Sequence, residues 1–213
     1  MRLPLDQIIL GDCLEVMQTF PDKSIDLVLT DPVWPNALPS LIGSDDPYGL
    51  FAAAVKEIAR LTDTLAVHLG CTSDPRFLAS VPAELPYLRT MWRRFTMPSK
   101  RGRVLIGSDV VYVFGQPPKS RKGNQLFTGE LTARDSELGL GKRIGHPTPR
   151  KLEHVRGLVS KLSNEGDVVL DPFCGSGTTA RACKDLGRHF IGIEIHPAFV
   201  KIAEERLRQQ VLI

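Results

Sequence analysis

A seven-residue turn, Asp171-Pro172-Phe173-Cys174-Gly175-Ser176-Gly177, constrains this chain more than any other feature. It follows the apolar run Val168-Val169-Leu170 and opens a helix-like stretch, Thr178-Thr179-Ala180-Arg181-Ala182-Cys183. A second apolar run then ends in an acid, Phe190-Ile191-Gly192-Ile193-Glu194. Strand, glycine turn, helix, strand and acid, in that order, are how an open α/β sheet cradles an adenosine-type cofactor. The glycines let backbone approach the ligand, and the acid accepts from ribose hydroxyls. Residues 175–180 also read as GxGxxA, a nicotinamide-cofactor variant that is weak by itself. Asp171 argues against that variant, because a carboxylate just before the glycines repels a pyrophosphate and suits a positive ammonium. Glu194 has a second reading as a helix N-terminal acid near Pro197, but its place at the end of a strand favours the ribose.

Other short apolar runs, at residues 7–10, 25–30, 65–69, 85–92, 110–114, 167–170 and 190–193, read as buried strands. Helical patterns separate most of them. Phe51, Val55, Ile58 and Ala59 share one face, as do Leu152, Val155, Leu158, Val159 and Leu162. A C-terminal helix carrying Phe199, Ile202, Ala203 and Leu207 starts at Pro197, a favoured first-turn residue. This alternation predicts one α/β domain over residues 1–213, built on a single doubly wound, mostly parallel sheet. Runs 85–92 and 110–114 are joined only by a basic, turn-rich connection, which predicts an antiparallel hairpin at one edge. Residues 35–49, rich in Pro, Gly, Ser and Asp, are expected as a mobile loop. Residues 117–146 hold Gly123, Gly129, Gly139, Gly141 and Gly145 among basic side chains, a long connection of the kind that is functional or disordered.

With hydrophobic residues at 42%, the chain has the material for a full core. No apolar run reaches membrane-spanning length, and residues 1–6 lack the apolar segment of a secretion signal. Cys13, Cys71, Cys174 and Cys183 have no CxxC spacing, which argues against structural zinc or disulfides and suits the cytoplasm. Cys71 and Cys183 are expected as small core residues. His68, at a strand end, reads as a packed histidine that could also line the cleft. The net charge of +3 hides a division: residues 89–151 carry 14 Lys/Arg and 4 Asp/Glu, leaving 13 basic and 20 acidic residues elsewhere. A basic middle of this kind meets a polyanion, and arginines beside glycines and prolines favour nucleic acid over a merely solvated surface.

Asp31-Pro32-Val33-Trp34 closes the run at 25–30, so Asp31 belongs at the carboxyl end of a strand, where open sheets bind ligands. By itself it fits a strand-ending turn beside a core tryptophan. It also suits methyl transfer to an exocyclic amine, whose lone pair is delocalised into its ring. A carboxylate and a fixed carbonyl can each accept one N–H and draw that nitrogen toward tetrahedral geometry, while proline holds the carbonyl in place. Trp34 offers a face for a base taken out of its stack, worth about 1–3 kcal/mol by analogy with base–aromatic stacking.

Four segments in order resemble the β-class amino-group (N6-adenine/N4-cytosine) DNA methyltransferases, in which the catalytic motif precedes the cofactor motif. Gly11-Asp12-Cys13-Leu14-Glu15 resembles the family's opening segment, and Ser24 through Pro32 resembles its strand into DPPY. His146-Pro147-Thr148 is similar to its HPTxKP segment, and Val169 through Thr179 to its glycine motif. The resemblance spans nearly the whole chain and implies a Rossmann-like sheet with a circularly permuted motif order, using S-adenosylmethionine and no metal. By position it implies that Asp31 and the Pro32 carbonyl receive the target amine while Trp34 stacks on the base. Asp12 and Cys13 would contact the cofactor adenine. Asp171, Phe173, Gly175, Ser176, Gly177 and Thr178 would shape its pocket, and Glu194 would hold the ribose. His146, Thr148 and Arg150 would lie near the methionine carboxylate.

The sequence departs from the family at Val33, where a second proline is usual, and at Arg150, where lysine is usual; arginine can still fork a carboxylate. Residues 117–146 are expected as a short basic recognition insertion. DNA contacts are expected from Arg93, Arg94, Lys100, Arg101, Arg103, Lys119, Arg121, Lys122, Lys142 and Arg143. Double-stranded DNA with a flipped base is the expected substrate, for a monomer or a homodimer sharing contacts. Asp rather than Ser at position 31 leans to adenine N6. N4 of cytosine, RNA, a nicotinamide-dependent oxidoreductase and a decayed, non-enzymatic DNA-binding protein are the alternatives.

Overall fold

The computed structural model describes residues 2–118, 128–131, 145 and 150–209, with only the backbone described at Thr96, Met97, Ser99 and Arg101. In chain order the elements are β1 (Gln7–Leu10), α1 (Cys13–Gln18), β2 (Leu27–Thr30), α2 (Pro47–Leu61) and β3 (Thr64–Leu69), then a short 3-10 helix (Pro75–Ser80). There follow β4 (Tyr87–Arg101), β5 (Val104–Gly115), β6 (Glu130–Leu131), α3 (Leu152–Leu162), β7 (Val168–Asp171), α4 (Thr178–Asp185), β8 (His189–Glu194) and α5 (Pro197–Arg208). All the strands join one sheet in the order β1-β8-β7-β2-β3-β5-β4-β6. The first five in that order run parallel, and β5 and β4 follow antiparallel.

Strand alternation explains the two helical layers. Leu27 and Leu29 of β2 share a core with Val155, Leu158 and Val159 of α3. Val28, between them, belongs to the opposite core with Phe51, Val55 and Ile58 of α2. Polar residues start the helices as capping rules require. Asp12 accepts from the Leu14 amide at 2.8 Å to open α1, and Asp46 accepts from the Gly49 amide at 2.9 Å, with Pro47 in the first turn of α2. The supposed loop at 35–49 therefore ends in helix. No helix among the described residues is long and apolar enough to cross a membrane.

The antiparallel hairpin forms at one end of the sheet, where among the described residues the two-residue β6 covers β4 only at Trp92 and Arg93, and it is longer than its apolar runs. Arg101 pairs with Val104 across the two-residue loop Gly102-Arg103, and Gly102 has φ 59°. Glycine at the first loop position is a hairpin signal in its own right. Apolar alternation missed the extension because the register shifts between Arg94 and Ser99, where Pro98 has no N–H to give a ladder. The two-residue β6 then pairs with β4 inside what reads as the 117–146 connection. Residues 119–127, 132–144 and 146 of that connection lie outside the described residues.

Gly177 opens α4 with φ 75°, and a Cβ added there would meet the Ala203 Cβ at 2.7 Å. Left-handed backbone and a close α5 neighbour both require glycine. Gly177→Ala is expected to lower stability by about 1–3 kcal/mol, read as a fall in the urea midpoint with an unchanged slope.

Candidate active site

The carboxyl ends of β1, β2, β3, β7 and β8 face one cavity of about 750 Å³. That volume suits a small-molecule cofactor. Asp12, Cys13, Asp171, Phe173, Gly175 and Glu194 line one part, and Asp31, Pro32, Trp34, His68, Arg93 and Arg150 line another.

In the first part, Glu194 fastens the glycine turn. One carboxylate oxygen accepts from the Gly175 amide at 2.8 Å and the other from the His196 amide at 2.8 Å. Asp171 accepts from the Phe173 amide at 3.2 Å. Burial pushes the Asp171 carboxyl up to about 7, against the opposing pull of the Thr179 hydroxyl and the Phe173 amide, and the Asp31 and Glu194 charges add to the rise. Burial likewise pushes the Cys13 thiol up to about 12, so its sulfur stays neutral and its backbone is what the site can use. Ser176 and Thr178 border the cavity, yet both hydroxyls are engaged by Arg206 of α5, whose Nη1 lies 2.8 and 2.9 Å away and also donates to the Ser176 carbonyl at 2.9 Å. Their role is to lock the turn onto α5.

The second part is a charge cluster. Arg150 forks the Asp31 carboxylate, with Nη2 donating to Oδ1 at 3.1 Å and Nε to Oδ2. His68 Nδ1 lies 3.2 Å from Asp31 Oδ1, and its Nε2 lies 3.3 Å from Asp109 Oδ2. Arg93 reaches the same Asp109 oxygen at 3.4 Å. Burial alone would raise the Asp31 carboxyl, but Arg150 and His68 outweigh it and hold the group well below the ordinary carboxylate range. Asp109 is lowered too, its burial offset by His68, Arg93 and Arg150. Trp34 donates its indole N–H to the His68 carbonyl at 3.1 Å and meets the imidazole edge-on, the centroids 5.3 Å apart. The Arg150 guanidinium lies over the Trp34 ring, 4.5 Å from its centroid. The rim thus grips a planar group with several N–H donors between an aromatic face and a carboxylate.

Several expected placements change. Arg93, expected on a DNA-facing surface, is only 7% exposed because its charge is drawn inward by Asp109. Arg150, expected at a cofactor carboxylate, sits on Asp31. Cys71 is exposed rather than in the core, while Cys183 is buried as expected. Arg94, Lys100 and Arg103 are exposed, with Arg94 paired to Glu130 at 3.0 Å. The Arg101 side chain and Lys119, Arg121, Lys122, Lys142, Arg143, His146 and Thr148 lie outside the described residues. Asp109 and Gly70 were not singled out by the sequence. Asp109 directly precedes an apolar strand run, the same signal that drew attention to Asp31 from the other end. Gly70 leaves no pattern at all, yet a Cβ there would lie 2.6 Å from the Trp34 ring.

The family model of N6/N4-type DNA methylases matches residues 91–205. The chain belongs to this DNA methylase family. The methylase is 29% identical over 225 residues to YubD of Escherichia coli (strain K12), a candidate methylase, covering 95% of this chain and 90% of that one. Its fold matches M1.HpyAVI, solved as a complex with SAM, at a TM-score of 0.73 with 24% identity over 95% of this chain and 99% of that one. It also matches the cytosine-N4-specific PvuII DNA methyltransferase, at a TM-score of 0.70 with 20% identity over 97% of this chain and 87% of that one. These two likenesses establish the Rossmann-like methyltransferase fold.

Gly70→Ala is expected to push the Trp34 indole off its seat while leaving the fold intact. The chain has two tryptophans, so a Trp92→Phe background isolates Trp34; its emission should shift to the red in Gly70→Ala.

Proposed function

We propose that the methylase transfers the methyl group of S-adenosylmethionine to the exocyclic N6 of adenine in DNA. The observation that carries this reading is the rim at Asp31 and Trp34, which already holds a planar, N–H-bearing group in the cavity that the Asp171 turn shares. A flipped adenine presents the same features: a flat π-face and an amine with two N–H bonds. The cofactor supplies an electrophilic methyl on sulfonium.

The residues fit such a cofactor. Asp171 is a buried carboxylate pushed up to about 7, and an ammonium beside it would restore its charge. In this reading Glu194, Asp12 and the Cys13 backbone take the ribose and adenine, and Phe173 and Gly175 bound the pocket, while Gly177 faces Ala203 of α5 instead of the cavity. On the substrate side, one Asp31 oxygen and the Pro32 carbonyl accept the two amine N–H groups while Trp34 supports the ring. The base takes the Asp31 oxygen from Arg150, freeing that guanidinium for the cofactor's carboxylate. When bound, the cofactor would supply an electrophilic methyl that bonds to the amine nitrogen as its C–S electrons return to a neutral thioether, and the Asp31 oxygen that accepts an amine N–H would take the released proton and pass it to water. Orientation and electrostatics supply the rate. Exposed Arg94, Lys100 and Arg103 grip phosphates of double-stranded DNA.

Methylation of cytosine N4 is the second reading, favoured by the fold likeness to the PvuII enzyme. Mass spectrometry of nucleosides from treated DNA separates the two; methylcytosine without methyladenine overturns the first. Asp31→Ala should lower methyl transfer at least about a hundredfold and leave cofactor affinity largely intact, as measured by calorimetry. Unchanged turnover would remove Asp31 from the mechanism.

Asp171 gives a pH signature. Below about pH 7 the free protein holds a proton on this carboxyl, and an incoming ammonium must displace it. Cofactor affinity should therefore fall with decreasing pH, approaching about tenfold per unit. Asp171→Asn should bind more weakly and lose that slope in calorimetric titrations.

A further inference from the structure

We infer that His68 is the positioning residue of the base site, setting both the Asp31 carboxylate and the Trp34 ring from behind, with Asp109 fixing the imidazole in turn. The inference rests on the methyl-transfer reading and adds residues to it. Asp31 lies in the segment after β2, and its carboxylate turns about two soft dihedrals. Among the described residues its ion-pair partners are Arg150 and His68. Arg150 occupies both oxygens from the rim, where the target amine must come, so it cannot be what orients Asp31 during the reaction. His68 touches Oδ1 alone, at 3.2 Å, and leaves Oδ2 for the amine.

His68 is also the fixed member of the pair. It sits in β3 at 5% exposure, in register with Val111 of β5. Asp109, two residues along that strand, stands 3.3 Å from Nε2 and is itself held by Arg93, its cross-strand neighbour. The same histidine's carbonyl accepts the Trp34 indole N–H, and its ring meets the indole edge-on. One residue thus fixes the hydrogen-bond acceptor and the stacking face at once, and the two must agree in angle for the amine and the ring of one base to meet them together.

Steady-state methyl transfer and calorimetric S-adenosylmethionine binding on His68→Leu, His68→Asn and Asp109→Asn test this. His68→Leu should lose about 10- to 100-fold in kcat with cofactor affinity within about twofold of wild type. His68→Asn, whose amide nitrogen falls near the place of Nδ1, should recover most of that loss. Asp109→Asn should lower kcat less than His68→Leu. Wild-type kcat in His68→Leu, or no advantage of Asn over Leu, overturns the inference. If His68→Leu does not fold, as shown by lost cofactor binding, His68→Asn decides alone: kcat within about tenfold of wild type supports the inference, and a greater loss overturns it. Wild-type protein that binds the cofactor but methylates no DNA overturns the parent reading and this one with it, whereas an active wild type with indifferent His68 variants overturns only this one.

Discussion

A carboxylate among packed side chains stays charged only while cations stay beside it. Asp31 has the Arg150 guanidinium, with the His68 imidazole 3.2 Å behind it, and that requirement organises everything around the end of β2. Arg150 comes from the segment before α3, His68 from β3, Asp109 from β5 and Arg93 from β4. These strands are consecutive neighbours of β2 in the sheet, and Arg93 stands directly opposite Asp109 in the ladder. The hairpin therefore does more than finish the sheet. It carries the outer half of a charge cluster whose inner half is Asp31.

Two carboxylates share the cavity, and their surroundings push them in opposite directions. Asp31 is held low because an arginine and a histidine are already in place. Asp171 is held high because burial dominates and its neighbours Asp31 and Glu194 are negative. Separated tendencies of this kind assign different roles to chemically identical groups. A permanently charged acid accepts N–H bonds from whatever planar group arrives. An acid pushed up by burial gains most from a ligand that brings its own positive charge.

The strands of the parallel half, the glycine turn and the acid at 194 were legible because buried strands and tight turns leave continuous apolar runs and fixed glycine spacing. The helix start at Pro197 followed from capping chemistry, whereas the start at Pro47 was hidden inside a stretch whose Pro, Gly, Ser and Asp content reads as loop. Arg93 was misplaced for a physical reason: an arginine looks the same in sequence whether it meets phosphate or a buried aspartate, and only the β4–β5 register shows that Asp109 lies across from it. His68 and Asp109 meet across strands, and Gly70 makes room for the Trp34 ring through the side chain it lacks. Such pairings have no local signature. Ser176 and Thr178 illustrate the converse, since their motif is plain but the partner of their hydroxyls, Arg206, sits near the far end of the chain.

The two acids of the cavity, Asp31 and Asp171, lie far apart in sequence and at the ends of neighbouring strands in space. Val28 of β2 is in register with Leu170 of β7, one residue before Asp171. Adjacent strands are held about 4.8 Å apart by their hydrogen bonds, so the separation of the two halves of the site is set by the ladder and not by a loop. From β7 the sheet continues through β8 to β1, and from β2 it continues the other way through β3. The site thus straddles the point where the winding changes direction, which is where an open sheet parts its loops and makes room for a ligand. Placing the strand that leads into Asp31 before or after the glycine-turn strand in the chain leaves that junction unchanged, which is why a permuted order of motifs is compatible with the same fold.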